Sequence, residues 1–157
     1  MAVEDLSADQ DSTDLQKCVA YVQEVARQRP ELDLDRLTVV ALGAVGGRLD
    51  HTLSNLSTLH KFRDMHLVLL GEGNLVRLVP AGRTVLRPHR GLEGPACGLV
   101  PVAGRAVVSS SGLRWNVSST PLEMGGLVST SNLLAEDEIV VESDVDLVWM
   151  TQLQEGG

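Results

Sequence analysis

Residues 37–62, LTVVALGAVGGRLDHTLSNLSTLHKF, constrain the fold more than any other stretch of this chain. Residues 37–42 form a short apolar run rich in β-branched side chains, which predicts a buried strand. Gly43, Gly46 and Gly47 follow. Glycines at that density mark a turn where the backbone bends sharply or comes close to a ligand. Arg48 and Asp50 come next, and then Leu53, Leu56, Leu59 or His60, and Phe62 recur at helical spacing, so a helix begins near Asp50. A charged pair on a glycine turn, between the carboxyl end of a strand and the amino end of a helix, stands where open α/β sheets bind ligands. A plain turn carrying a surface ion pair explains the same residues. The turn is neither a Walker A loop, since Arg48-Leu49-Asp50 replaces Gly-Lys-Ser/Thr, nor a GxGxxG fingerprint.

The flanking segments place that turn in a larger pattern. Residues 1–10 are polar and acidic, without a fold of their own. Thr13 and Gln16 stand in capping-box spacing, and Leu15, Cys18, Val19, Val22, Val25 and Ala26 form an apolar stripe. A helix over 14–29 follows, ended by Pro30. Asp11 and Asp14 lie at its start, where negative charge suits the helix dipole, so capping alone accounts for both carboxylates. Helix, strand 37–42, helix and strand 66–70 read as parallel βαβ units. After Gly71 the pattern changes to short runs: 75–79, 83–87, 97–102, 106–109, 113–117, 127–129, 139–142 and 147–150. Short strands at close spacing predict a sandwich or barrel. The expected fold is thus α/β followed by all-β: part of a parallel-sheet α/β nucleotide-binding domain over 1–73, then an antiparallel β-sandwich over 74–157. Gln-Glu-Gly-Gly closes the chain as a loose tail. Two strands and two helices are too few to cover a parallel sheet on both faces. The expectation is that the exposed edge pairs with another chain, or that a preceding segment is missing.

Composition narrows the partners. A net charge of −8 over 157 residues argues against nucleic acid or an anionic membrane, both of which demand clustered Lys and Arg. A polyphosphate ligand would need a divalent cation between itself and protein carboxylates. Cys18 and Cys97 are isolated thiols without metal-type spacing, and no apolar export segment or membrane-length run is present. The reading is a reduced, cytoplasmic protein.

Aromatics are scarce, so each Trp carries weight. Trp115 alternates with Leu113 and Val117 and reads first as a sandwich-core residue; flanked by Arg114 and Asn116, it could also stack on a flat or cationic ligand. Trp149 in the apolar run 147–150 is structural. The small polar stretch 127–132 after Gly125-Gly126 suits hydrogen bonds to a heteroaromatic ring. His51, His60, His66 and His89 show no zinc-type spacing. No Ser-His-Asp or Cys-His arrangement is present.

Four segments taken in order carry a resemblance: Gln10-Asp11-x-Thr13-Asp14-Leu15-x-Lys17-Cys18; Gly46-Gly47-Arg48-Leu49-Asp50-His51-x-Leu53-x-Asn55; Gly112-Leu113-Arg114-Trp115-Asn116; and Leu127-Val128-Ser129-Thr130-Ser131-Asn132. From about Ala8 to Met150 the chain resembles thiamine pyrophosphokinase. The resemblance implies transfer of pyrophosphate from ATP to thiamine with Mg²⁺, giving thiamine diphosphate and AMP. It also implies an α/β domain, a β-sandwich, and a homodimer with active sites between subunits. By position it assigns Gln10 and Thr13 to the ATP side and Asp14 to the metal. Asp14, Arg48 and Asp50 become catalytic, and Trp115, Ser129 and Asn132 fall on the thiamine side. Asp50 would accept the thiamine hydroxyl proton or orient Arg48. The family's Asp-Gly-Gly and Gly-Asp-x-Asp-Ser motifs have no counterpart here, so the chain resembles an amino-terminally shortened member. The alternative function is a catalytically incomplete form, a thiamine-binding or dimer-modulating subunit that pairs with a full-length partner.

Overall fold

The computed structural model describes Asp9 and residues 11–29, 31–33 and 36–154. Expectations for the first eight residues, Gln10, Pro30 and the last three residues lie outside the described ones.

Helix α1 (Asp14–Gln28) begins after Thr13, whose Oγ1 accepts the Gln16 N–H at 3.4 Å. The second half of the predicted capping box does not form. Gln16 instead accepts a hydrogen bond from Lys61 Nζ at 3.1 Å, which ties α1 to the end of α2 (Leu49–Lys61). Between the helices runs β1 (Thr38–Leu42), and β2 (His66–Gly71) pairs with it in parallel, Thr38 opposite His66 and Leu42 opposite Leu70. The expected βαβ unit is therefore present. A tight turn at Glu72-Gly73 sends the chain back as β3 (Asn74–Val79), antiparallel to β2.

Beyond β3 the chain is all strand: β4 (Gly82–Leu86), β5 (Glu93–Val100), β6 (Ala106–Ser111), β7 (Thr120–Leu122), β8 (Ser129–Leu133), β9 (Ile139–Ser143) and β10 (Leu147–Leu153). They form a six-stranded sheet in the order β1-β2-β3-β10-β5-β8 and a four-stranded sheet β4-β9-β6-β7. The α/β half and the β-sandwich expected from sequence are both there. The division expected at 73/74 falls in the β2–β3 turn, and the six-stranded sheet runs across it.

Two cores follow from this sheet. Val19 of α1 and Leu59 of α2 pack with Phe62 on Leu67, Leu69, Val76 and Val148 of the sheet. On the other face, Val79, Leu99, Leu147 and Trp149 meet Leu86, Val108, Leu122, Ile139 and Val141 from the four-stranded sheet. Trp149 is fully buried, as its apolar run predicts.

Local expectations fail in four places, the first being the run 127–129, where the strand β8 lies instead over Ser129–Leu133. Residues 113–117 form no strand, only an isolated bridge from Leu113 to Leu134. β7 has no apolar run to announce it. β5 starts at Glu93, earlier than its apolar run, because Glu93 is satisfied inside by the Thr151 hydroxyl at 2.8 Å and the His89 N–H at 3.0 Å.

β1 ends the sheet, and its Val40 and Leu42 face solvent at 50% and 79% exposure. An edge without proline or charge is a template for pairing with another chain. Sedimentation velocity should show mass rising with concentration. Val40→Lys with Leu42→Lys should suppress that rise while changing stability by no more than about 0.5 kcal/mol; concentration-independent sedimentation of the parent chain would contradict it.

His60 is a second consequence of packing. It is half-buried on α2 with Nε2 unpartnered, and burial holds its pKa below the ordinary 6.5, against the attraction of Asp146. The unfolded chain therefore binds the proton more readily than the native one. Stability should be full above pH 6.5 and decline as pH falls through the lowered native value. Thermal melts of His60→Gln should show a flatter decline over the same window.

Candidate active site in two clefts

The glycine turn is built by close approach. Gly46 has φ +101°, and a Cβ there would run into the Glu72 side chain. The turn is then fastened by side chains of α2. Thr52 Oγ1 accepts the Gly46 N–H at 3.2 Å and sits 3.2 Å from the Gly46 carbonyl, to which it can donate. Asn55 Nδ2 donates to the Ala44 carbonyl at 2.8 Å, and the Ala44 N–H donates to Leu70 O at 2.9 Å. Thr52 was not singled out by sequence reasoning, and Asn55 only as part of a motif. The signal they share is a polar residue on the helix face that returns toward a preceding glycine turn.

Beside this turn, at the carboxyl end of β1, lies a cleft of about 450 Å³ lined by Thr13, Asp14 and Leu15, residues 41–44, His51, Ser54 and Asn55. The structure thus brings the start of α1 and the first turns of α2 onto one cavity. Arg48 and Asp50 are not part of its lining. They stand on the adjoining turn, paired with each other through Arg48 Nε to Asp50 Oδ1 at 3.1 Å and Nη2 to Oδ2 at 2.6 Å. Both side chains are largely exposed, at 71% and 63%. The Arg48 guanidinium, helped by the His51 N–H, holds the Asp50 carboxyl below the usual carboxylate range. Arg48 is the N-cap of α2 and offers no side-chain cap, so the positive end of that helix faces the turn.

A second cleft, about 280 Å³, lies in the sandwich half and is lined by Trp115, Asn116 and Val117 with Leu122 and residues 127–132. Trp115, Ser129 and Asn132 therefore share one cavity. The reading of Trp115 as core is corrected. Its ring is 53% exposed, because 113–117 is a turn: Asn116 Oδ1 accepts the Leu113 N–H at 3.0 Å and replaces a ladder bond. Gly112 opens that turn at φ +84°, where a Cβ would meet the Glu138 carbonyl. The Arg114 guanidinium carbon lies 4.9 Å from the Trp115 ring centroid, so this ring already carries a cation on its face.

The two clefts share no lining residue. Among the described residues no three His, Cys, Asp or Glu side chains gather as a metal site. Among the described residues, Asp14 is the one carboxylate on the strand-end cleft. Gln10, expected on the ATP side, lies outside the described residues.

Two family profiles match the sequence: "Thiamin pyrophosphokinase, catalytic domain" over residues 1–69 and "Thiamin pyrophosphokinase, vitamin B1 binding domain" over residues 83–148. Thiamine pyrophosphokinase 2 of Arabidopsis thaliana is 42% identical over 155 residues, covering 98% of this chain and 57% of the relative. Thiamin pyrophosphokinase 1 of Caenorhabditis elegans is 34% identical over 149 residues, covering 93% of this chain and 60% of the relative. The chain thus spans less than two thirds of the length of these relatives. In fold it is similar to the crystal structure of yeast thiamin pyrophosphokinase, with TM-score 0.77 and 20% identity over 92% of this chain and 60% of that one. It is similar also to the Geobacillus thermodenitrificans structure, with TM-score 0.74 and 19% identity over 95% of this chain and 65% of that one.

Gly46→Ala should strain the turn and displace Glu72, lowering unfolding free energy by roughly 1–3 kcal/mol. Chemical denaturation measures this, and an unchanged midpoint would show that the turn accommodates a side chain.

Proposed function

The chain belongs to the thiamine pyrophosphokinase family, and from that premise we propose that it serves the transfer of pyrophosphate from ATP to the thiamine hydroxyl, giving thiamine diphosphate and AMP. The observation that carries this reading is the pair of clefts with different chemistry. One is a cavity of mixed lining at the carboxyl end of β1, where two helices begin and Asp14 stands, and the other is a cavity with an exposed Trp and a small hydroxyl-bearing wall. The reaction moves a pyrophosphoryl group from an anionic polyphosphate, with AMP leaving, to the hydroxyl of a molecule that carries a cationic aromatic ring, and each cleft suits one of the two reactants.

On the nucleotide side, transfer of this kind needs positioning and neutralisation of spread negative charge more than covalent help. Arg48, with its fork of donors, is the group to meet phosphate oxygens. Asp50 orients it. Between orientation and proton acceptance the geometry favours orientation, since Asp50 holds both bonds of the fork and is a weakened base. Asp14 fits one position of a magnesium ion, which keeps water and phosphate oxygens as most of its ligands. The described residues do not build the rest of such a site. On the ring side, Trp115 stacks and Ser129 supplies a hydroxyl to the heteroaromatic edge.

Because the clefts have no residue in common, we read the working form as a homodimer in which one subunit's strand-end cleft faces the other's ring cleft. We place it in the cytoplasm. Cys18 and Cys97 are free thiols, which supports a reducing compartment, and no helix among the described residues is long and apolar enough to cross a membrane.

The test is AMP release from ATP, Mg²⁺ and thiamine by the purified chain. Asp50→Asn and Arg48→Ala should each lower the rate by roughly a hundredfold or more, and mixing Asp50→Asn with Trp115→Ala chains should restore part of it. Absence of both AMP formation and thiamine binding would overturn the reading. Thiamine binding without AMP would leave only the ring cleft at work and make the chain a binding subunit.

A further inference from the structure

Asn132 lies on the wall of the ring cleft, yet it is buried, with 3% exposure, and every hydrogen-bonding position of its side chain is taken. An amide side chain offers an oxygen with two lone pairs and a nitrogen with two hydrogens. Asn132 Oδ1 accepts the Trp115 N–H at 3.1 Å and the Leu133 N–H at 2.9 Å. Its Nδ2 donates to the Trp115 carbonyl at 2.8 Å and to Ser129 Oγ at 3.3 Å.

The pattern is that of a strand neighbour made from a side chain. Trp115 sits in a turn with no ladder of its own, and both its backbone groups are satisfied by one amide, as a paired residue in a sheet would satisfy them. The rest of the turn is held by the Leu133 carbonyl, which accepts the Arg114 N–H at 2.9 Å, and by Asn116. Asn132 is therefore the direct link between the backbone of the Trp115 turn and the Ser129 hydroxyl.

We infer that Asn132 is a positioning residue: it acts on ring recognition through Trp115 and Ser129 and does not itself contact the ring. This rests on the thiamine reading for the ligand and on geometry alone for the placement of Trp115. Ser129, on the cleft wall, then has its oxygen held by the Asn132 amide and its O–H left to donate. Trp115 presents one ring face, with Arg114 over it, because its peptide is clamped at both ends.

A double-mutant cycle reads the distinction. Thiamine affinity is measured by equilibrium titration for the parent chain, Asn132→Ala, Trp115→Ala and the double variant, with Asn132→Asp as a variant that retains the two acceptor bonds. If Asn132 works through Trp115, Asn132→Ala weakens binding about tenfold alone and adds little once Trp115 is absent. An equal loss in both backgrounds would mean that Asn132 does not act through Trp115 and would overturn the inference.

A ligand-free measurement decides the matter if thiamine does not bind, an outcome that would count against the proposed function and not against this inference. The chain has two tryptophans, Trp115 exposed and Trp149 fully buried, so Trp115→Phe isolates the buried one. In Asn132→Ala and Asn132→Asp, the Trp115 component of fluorescence should lose anisotropy and become more open to acrylamide quenching. The Trp149 component, read in the Trp115→Phe background, should not change. If neither component moves, the inference is wrong. If both move together, the substitution has loosened the sandwich as a whole, and the placement of Trp115 is not Asn132's particular task.

Discussion

The arrangement rests on the β3–β10 ladder, whose side chains serve two cores at once. Successive residues of a strand point to opposite faces, and Val148 and Trp149 show the consequence. Val148 packs under the helices with Val76, and Trp149 packs into the sandwich with Val79 and Leu147. A shift of one residue in this pairing would send every one of those side chains to the wrong core. The α/β part and the sandwich are thus joined by hydrogen-bonded strands, and the chain passes between them in the Glu72-Gly73 turn. That turn also abuts the glycine turn after β1, since Glu72 occupies the space beside Gly46. The glycine turn is braced by the same hairpin that starts the shared ladder.

The sequence disclosed what short-range patterns determine. The apolar stripe of α1, the β-branched run of β1 and the glycine turn have local causes, and they fold as their patterns say. It did not disclose what depends on distant partners. Gln16 looks like half of a capping box, but Lys61 on the other helix competes for its oxygen and holds it. Glu93 and Pro95 sit in a segment that no strand propensity would select. Burial of Glu93 against Thr151 places it in β5 all the same. Residues 113–117 alternate as a strand does, yet Asn116 and Asn132 supply the backbone partners that a neighbouring strand would have supplied. Periodicity cannot register a side chain taking the place of a strand.

The site was legible in part for the same reason. Thr13 and Asp14 reach the cleft because a helix start is locally encoded, and the strand-end position of the cleft follows from the βαβ order. The chemistry attached to Trp115 and Ser129 came from family resemblance, since alternation alone would have buried Trp115. The resemblance put Asn132 on the thiamine side as well, but it said nothing of how Asn132 would act there. Its type and position fit a ligand contact, and only its saturated hydrogen bonds separate a residue that holds the wall from one that touches the guest.

Charge completes the physical picture. The chain carries a net −8, and among the described residues the strand-end cleft is lined by one carboxylate and by no lysine or arginine. A polyphosphate entering it would find helix-end amides and little fixed positive charge. The nearby cation, Arg48, is spent on Asp50, but both partners are largely exposed, and an exposed ion pair is held weakly because water screens it. Exchange of a carboxylate partner for a phosphate is therefore easy, and the same fork geometry serves both. An Arg already orientated by Asp50 loses less freedom on meeting the phosphate than one that begins loose in solvent. Under the proposed function, the pair is a preorganised donor in an acidic protein, its positive charge available at the rim for a phosphate.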